Sequence, residues 1–331
     1  MKFSNNKKLD LLAQSFVDKY KALNSSTLNL DPYNSAYAAQ YLEKIEYNTY
    51  LACELLKNID AIDSYDRVFD FGGGIGFNSA FFSFVGFKEV IYVDIDSLSK
   101  KDAQTINSAL GFNNITYLTS DYTIFKEFDL TKALICSRDV IEHIYDLKSF
   151  LLLSSKAKTN RHNTAAVSNS FFRKNEFLKI HHNAEFVGNQ NNISKERDSS
   201  EPYIQIRETI LRDLNPNISE IKLDVLLGQT RGLIKKDIIA FLEDGRLPEH
   251  HTSMLNTNTC DPLTGNWAER TLSFKNYEQL ASSTGVQLDF NLVDYNTYNQ
   301  PILKKIALSL LNSITKLSQN ERLCASFTLN Y

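Results

Sequence analysis

The densest chemistry in this chain lies in residues 68–76, which read Val-Phe-Asp-Phe-Gly-Gly-Gly-Ile-Gly. An apolar run ends on an acid, Asp70, and Phe71 then leads into glycines at 72, 73, 74 and 76. Lacking a Cβ, glycine reaches positive φ and lets bare backbone N–H groups approach a bound molecule. Asp70, two residues before the first glycine, is placed to accept a hydrogen bond from a ligand's ammonium group. A dinucleotide fingerprint, Gly-x-Gly-x-x-Gly, would need glycine at 77 or 79, where the chain has Phe77 and Ser79.

Acids recur after this turn at the ends of apolar runs. Glu89-Val-Ile-Tyr-Val-Asp94 closes on Asp94, whose carboxylate can accept both hydroxyls of a ribose; an aspartate there also suits a strand-end turn. Asp121 and Tyr122 follow the next run, and Asp121 could equally cap the segment after it. Residues 133–146 place Asp139, Glu142 and His143 at i, i+3 and i+4, one face of a helix. Asp139 and Glu142 then read as a capping box, with Asp139 as N-cap. Alternatively His143 is a general base for an acceptor hydroxyl, since imidazole titrates near neutral pH.

The six histidines all fall between 143 and 251, and the pairs His181-His182 and His250-His251 lie in a polar stretch. They read as solvated loop residues or as sources of a catalytic base, and their spacing resembles no zinc site. Residues 256–270 gather amides, hydroxyls and Arg270 around the single tryptophan, Trp267. That segment suits either a polyhydroxylated acceptor or a structural turn anchored by the ring.

The turn at Asp70–Gly76 resembles motif I of the class I S-adenosylmethionine-dependent methyltransferases. Val140-Ile-Glu-His143 resembles the strand-four signature of the branch that includes ubiquinone-type O-methyltransferases. The resemblance covers residues 40–170 and the last two strands. It implies S-adenosyl-L-methionine as cofactor and methyl transfer; the acceptor is read as a small molecule or glycan, at oxygen, with a lipid precursor or a protein left open. The cofactor contacts it implies are Asp70, Phe71, Gly72, Gly73, Gly74, Gly76, Asp94 on the ribose, Ile95 on the adenine face, Asp121 on the adenine amino group, Tyr122 and Ser137. Among the histidines, His143 is the first candidate base, with His181 and His182 behind it. Some members hold a divalent ion with an acid-x-x-Glu-His segment and a further histidine. Here Asp139 stands where they have glutamate, and no metal is assigned. A non-catalytic adenosylmethionine-binding regulator or assembly protein is the alternative.

These residues need a scaffold, and the pattern supplies one. Alternating runs predict strand 67–71, helix 77–85, strand 89–94, helix 98–110, strands 115–118 and 132–137, helix 140–157 and strand 164–169. Helical periodicity marks 8–23 and 36–58 before them. Broken helical patterning at 203–214, 218–227 and 234–244 interrupts a polar stretch. Helix 274–284, strand 286–294, helix 302–317 and a closing antiparallel strand 321–330 complete the chain. The expected fold is α/β: a Rossmann-like, seven-stranded class I methyltransferase sheet. It divides into an N-terminal helical cap (1–60), a cofactor core (61–170), an insert or lid on the acceptor side after strand five (171–270) and a completion of the sheet (271–331). Residues 189–201 read as a mobile loop within that insert.

Composition narrows the partners. With 331 residues, 43% apolar, there is enough for a sizeable core, and the net charge of −3 gives no footprint for a polyanion such as nucleic acid. Cys53, Cys136, Cys260 and Cys324 show no Cys-x-x-Cys spacing and read as reduced thiols. The first residues lack a signal-peptide pattern and no apolar run approaches a membrane span, so a cytoplasmic protein with no membrane partner is expected. The sequence leaves the oligomeric state open.

Overall fold

The computed structural model describes residues 2–23, 28–167, 171–188, 199–248 and 258–331. His250, His251, residues 256–257 and most of the expected 189–201 loop lie outside them. The chain divides into two units: residues 1–141, 148–167 and 274–331 form unit 1, and residues 142–147 and 168–273 form unit 2.

Unit 1 carries one seven-stranded sheet. Its strands are β1 (Arg67–Phe71), β2 (Val90–Asp94), β3 (Ile115–Thr119), β4 (Ala133–Arg138), β5 (Thr159–Thr164), β6 (Asp289–Val293) and β7 (Ser326–Asn330). Their order is β3-β2-β1-β4-β5-β7-β6, with β1–β5 parallel and β7 antiparallel between β5 and β6. This is the order and direction expected of a class I methyltransferase sheet. The order reverses beside β1, between β1 and β4, where open α/β sheets bind ligands at their carboxyl ends.

The helices of unit 1 follow their apolar stripes. These are α1 (Lys7–Lys21), α2 (Pro32–Glu43), α3 (Ile45–Leu55), α4 (Phe77–Val85), α5 (Ser97–Ala109) and α6 (Leu147–Ser154, all but its first residue in unit 1). Phe16 of α1 meets Phe77 and Phe81 of α4 edge-on at 5.5 and 5.2 Å, so aromatic area closes one face of the sheet. The expected helix 36–58 is two helices, because Lys44 leaves helical geometry at φ −110°, ψ 28°.

Two expectations fail for physical reasons. Strand β5 spans 159–164 rather than 164–169. Its buried side chains are polar: Asn160 donates to the Ser154 carbonyl (3.0 Å), Asn163 to the Phe327 carbonyl (3.2 Å), and His162 meets Ser137 Oγ (2.8 Å). Partnered polar groups can fill a central strand, and an apolar run is then the wrong cue. The expected helix 140–157 is also broken, into a 3₁₀ turn at Ile141–His143 and α6. Asp139 leaves β4 at φ 53°, donates its N–H to the Asn163 carbonyl (2.8 Å) and accepts from the Ala165 N–H (3.1 Å). It therefore ties the ends of β4 and β5 together, and the capping box is not formed.

Unit 2 is helical: α7 (Lys174–His182), α8 (Tyr203–Leu214), α9 (Glu220–Gln229) and α10 (Lys235–Asp244). Ile206, Ile210, Leu223 and Leu233 lie in its small apolar core. Beside it Arg207 pairs with Glu185, both buried. After it, unit 1 resumes with α11 (Phe274–Ser282) and, between β6 and β7, α12 (Ile302–Ser318). No helix among the described residues is long and apolar enough to cross a membrane.

Candidate functional site

In unit 1 the chain leaves β1 at Phe71 and turns at once. The N–H groups of Gly72 and Gly73 both donate to the Val93 carbonyl, at 2.8 and 3.1 Å. Tyr92 Oη donates to the Gly74 carbonyl (2.7 Å), and Asp94 Oδ2 accepts from the Gly74 N–H (2.9 Å). The end of β2 thus fastens the turn from one side.

The glycines do two different jobs. A Cβ on Gly72 would stand 2.3 Å from Val140 Cγ2, and one on Gly73 would stand 2.4 Å from the Tyr92 ring, so these positions are glycine for packing. A Cβ on Gly74 would meet nothing within 4 Å, although its φ is +51°. Gly74 is therefore the member of the turn whose outer side faces open space. The residues fit a ligand that lies against main chain.

The remaining cofactor candidates have mixed placements. Ile95, next to Asp94, keeps 40% of its surface exposed. Asp94 Oδ1 accepts from the Asp96 N–H (2.9 Å), so both carboxylate oxygens already organise the loop. Asp121 uses Oδ1 to cap the 3₁₀ turn Tyr122–Glu127 through the Thr123 N–H (2.8 Å). The Tyr122 ring meets Phe150 edge-on at 6.0 Å.

Asp70 and Ser137 are both buried. Asp70 is 1% exposed and its Oδ2 accepts from both the N–H and the hydroxyl of Ser79, at 2.8 and 2.6 Å. Burial raises its pKa to about 6, against the pull of Ser79 and of the Arg138 guanidinium. Its Oδ2 fastens α4 to β1, while Oδ1 is buried without a hydrogen-bond partner. Ser137 is fully buried, and its hydroxyl belongs to a chain running through His162 to Tyr331 and Ser154. Its side chain is therefore turned into the core.

Sequence reasoning missed Arg138. Strand register sets Asp70 beside Cys136, and alternation puts Arg138, two residues on, on the same face. Its buried guanidinium lies 4.6 Å from the Tyr41 ring centre and 5.8 Å from that of Phe77, and it bonds Tyr41 Oη. A lone base ending the apolar run Ala133–Cys136 was the available signal.

In unit 2, Glu142 and His143 pair with the segment at Trp267–Arg270. The Trp267 N–H donates to the His143 carbonyl, and the Arg270 N–H to the Glu142 carbonyl, each at 3.2 Å. His143 Nδ1 lies 2.7 Å from the Trp267 carbonyl, which only accepts. The neutral ring therefore carries its proton on Nδ1 and its lone pair on Nε2. Nε2 is 4.0 Å from Glu269 Oε1, and ligand atoms of Glu142, His143 and Glu269 lie within 4.8 Å of one another. Glu269 is the second residue missed; it sits at φ 61° within the segment read as a turn.

The other candidates of unit 2 do not join a site. His181 is fully buried and its Nε2 meets the Glu269 carbonyl at 3.0 Å; burial pushes its pKa down to about 4. It is a structural imidazole, not an accessible base. His182 is exposed and packs on Phe186 with ring centres 5.2 Å apart. Trp267 is fully buried, stacked on Tyr145 at 5.7 Å, so its ring anchors the turn and cannot receive an acceptor.

No protein-family model matches the chain, and no curated protein matches it. Among solved structures, the chain is similar to PKMT2 of Rickettsia typhi, solved with AdoHcy, at 14% identity over 82% of this chain and 49% of that one, TM-score 0.40. It is similar to YcgJ of Bacillus subtilis at 13% identity over 85% and 94%, TM-score 0.39. It is similar to the plantazolicin methyltransferase BamL at 11% identity over 97% of both chains, TM-score 0.39. The match spans about half the length of the R. typhi protein. At these identities the fold rests on the sheet order and the glycine turn described above.

Proposed function

We propose that this protein is an S-adenosyl-L-methionine-dependent methyltransferase acting on a small-molecule or glycan acceptor, at oxygen. The observation that carries the reading is the turn at Gly72–Gly76. Its rear glycines are packed against Val140 and Tyr92, its Gly74 faces open space, and Asp94 closes it at the carboxyl end of β2. Gly72–Gly76 and Asp94 would hold the cofactor, Ile95 would cover its adenine, and Asp121 and Tyr122 would complete the adenine side. The cofactor supplies a methyl group on a sulfonium, which is already activated for displacement.

The protein's contribution is alignment and proton removal. Holding nucleophile and methyl group in line is worth up to roughly 7–11 kcal/mol where geometry is good. An alcohol near neutral pH is a poor nucleophile, so an oxygen acceptor needs a base. His143 serves, because its Nδ1 is committed to the Trp267 carbonyl and its Nε2 keeps the lone pair. We assign acceptor selection to unit 2. A second reading is favoured by the Glu142–His143–Glu269 cluster, whose donor set also suits a divalent cation. In it Glu269 takes the place first read for Asp139.

The test is a methyl-transfer screen with labelled cofactor against a panel of small alcohols, phenols and glycans. Acceptor-dependent release of adenosylhomocysteine supports the enzyme. Cofactor binding with no turnover across the panel supports a non-catalytic binding protein. Turnover that chelator stops and Mg²⁺ restores selects the second reading.

A further inference from the structure

Two opposite charges are buried on one face of the unit 1 sheet, and each keeps one atom unused. Arg138 is 8% exposed; its Nη2 bonds Tyr41 Oη, while its Nη1 is buried with no partner. Asp70 is 1% exposed; its Oδ2 is taken by Ser79, while its Oδ1 is buried with no partner. A charged group that has lost its hydration needs its polar atoms satisfied from within the protein or by a ligand. Packing fixes both groups here and leaves that need unmet on each.

Strand register places them at the glycine turn. Ser137 lies opposite Phe71, so Arg138, the next residue, comes level with Gly72, where the turn begins. Strands β1 and β4 flank the point at which the strand order reverses, the place where open sheets take ligands. Both side chains lie on the α4 side of the sheet: Arg138 is 5.8 Å from the ring centre of Phe77, and Asp70 accepts from the Ser79 N–H. The Tyr41 ring, 4.6 Å from the guanidinium, and the bond to Tyr41 Oη fix its orientation. Asp139, the nearest acid in sequence, turns to β5 instead, where its Oδ1 accepts from the Ala165 N–H.

We propose that Arg138 Nη1 binds the carboxylate at the amino-acid end of the cofactor, while Asp70 Oδ1 takes its ammonium group. The inference rests on the methyltransferase reading, because S-adenosylmethionine is an adenosine ligand that ends in an α-amino acid. Such an end carries both charges on one carbon, and a guanidinium donor beside a carboxylate acceptor complements them. A lone buried cation would suit any anion, but the Asp70 carboxylate on the same face disfavours a phosphate and selects a zwitterion. The glycine turn says nothing of a carboxylate, and Arg138 is the residue that supplies its partner. A ligand lacking that carboxylate would leave Nη1 buried and unpaired, so the site discriminates against it.

The experiment is calorimetric titration of the full chain with adenosylhomocysteine and with decarboxylated adenosylhomocysteine, which lacks only the carboxylate. Wild type is expected to bind the first more tightly, by on the order of tenfold to a hundredfold. Arg138→Met fills similar space without charge; it should weaken adenosylhomocysteine by that same factor and should not weaken the decarboxylated ligand. Arg138→Lys keeps the charge and should restore part of the difference. Equal affinity of wild type for the two ligands overturns the proposal with no variant needed. An Arg138→Met loss that is the same for both ligands also overturns it, because Arg138 would then serve the fold alone, as does an unchanged affinity for adenosylhomocysteine. If wild type binds neither ligand, the methyltransferase reading itself fails and the inference falls with it.

Discussion

In unit 1 the proposed ligand surface at the glycine turn is made of main chain, whereas unit 2 gathers titratable groups as side chains on short loops. The glycine turn is gripped from behind by Val140, Tyr92 and the Val93 carbonyl, so its shape is set before any ligand arrives. Glu142 and His143 are tied instead by backbone bonds to the segment Trp267–Arg270, which carries Glu269. Substitutions in unit 1 should therefore act through shape and cofactor affinity. Those in unit 2 should act through protonation and turnover.

The strongest way to break this contrast is Gly74→Val. The branched side chain would project where the proposed cofactor would lie, so binding should be lost. Valine is also strained at φ +51°, so the melting temperature should fall as well, and Gly74→Ala, with the same strain and a smaller side chain, separates the two effects. Gly73→Ala makes the opposite case: its methyl group meets the Tyr92 ring, so stability should fall by about 1–3 kcal/mol. Binding and thermal melts of these variants separate ligand surface from packing.

His143→Ala should lower kcat by roughly 10²–10⁴ with little change in cofactor affinity, as measured by steady-state rates beside equilibrium binding. Near-normal turnover would leave His143 a loop residue. Asp94→Ala removes a charge-assisted pair of bonds, and cofactor affinity should fall by about 2–3 kcal/mol. A loss below about 0.5 kcal/mol would reduce Asp94 to its bonds with Gly74 and Asp96.

Acid should tell the units apart more gently. Burial holds His181 neutral to about pH 4 and His162 to about pH 3, both below the ordinary 6.5. A depressed folded pKa gives stability that is present above the unfolded value and lost as pH falls through the window. In unit 1, Asp70 has the opposite sign. Raised from 3.8 to about 6, it loses stability as pH rises through that window and regains it on acidification, offsetting His162. Between pH 6.5 and 4, amides of unit 2 should lose exchange protection before those of unit 1. Simultaneous loss would show that other groups dominate.

What the sequence revealed depended on which kind of group carries the structure. The β1 strand and α4 lie where the apolar runs end and the glycines begin, because backbone conformation there is written in residue type. Strand β5 escaped because His162, Asn160 and Asn163 are buried through hydrogen bonds that only the folded neighbours supply. Asp139 escaped for a related reason: its spacing to Glu142 fits a capping box, but its bonds go to β5. Glu269 joins Glu142 and His143 across more than a hundred residues, and no local spacing reports such a contact.

Calorimetric titration of wild type with S-adenosylmethionine, adenosylhomocysteine and NAD, repeated on Gly74→Val, tests the central claim most directly. Saturable binding of the two adenosyl ligands, none of NAD, and none of any ligand by the variant is the predicted result. Failure of wild type to bind the adenosyl ligands, or an unchanged affinity in Gly74→Val, would contradict the assignment of the glycine turn.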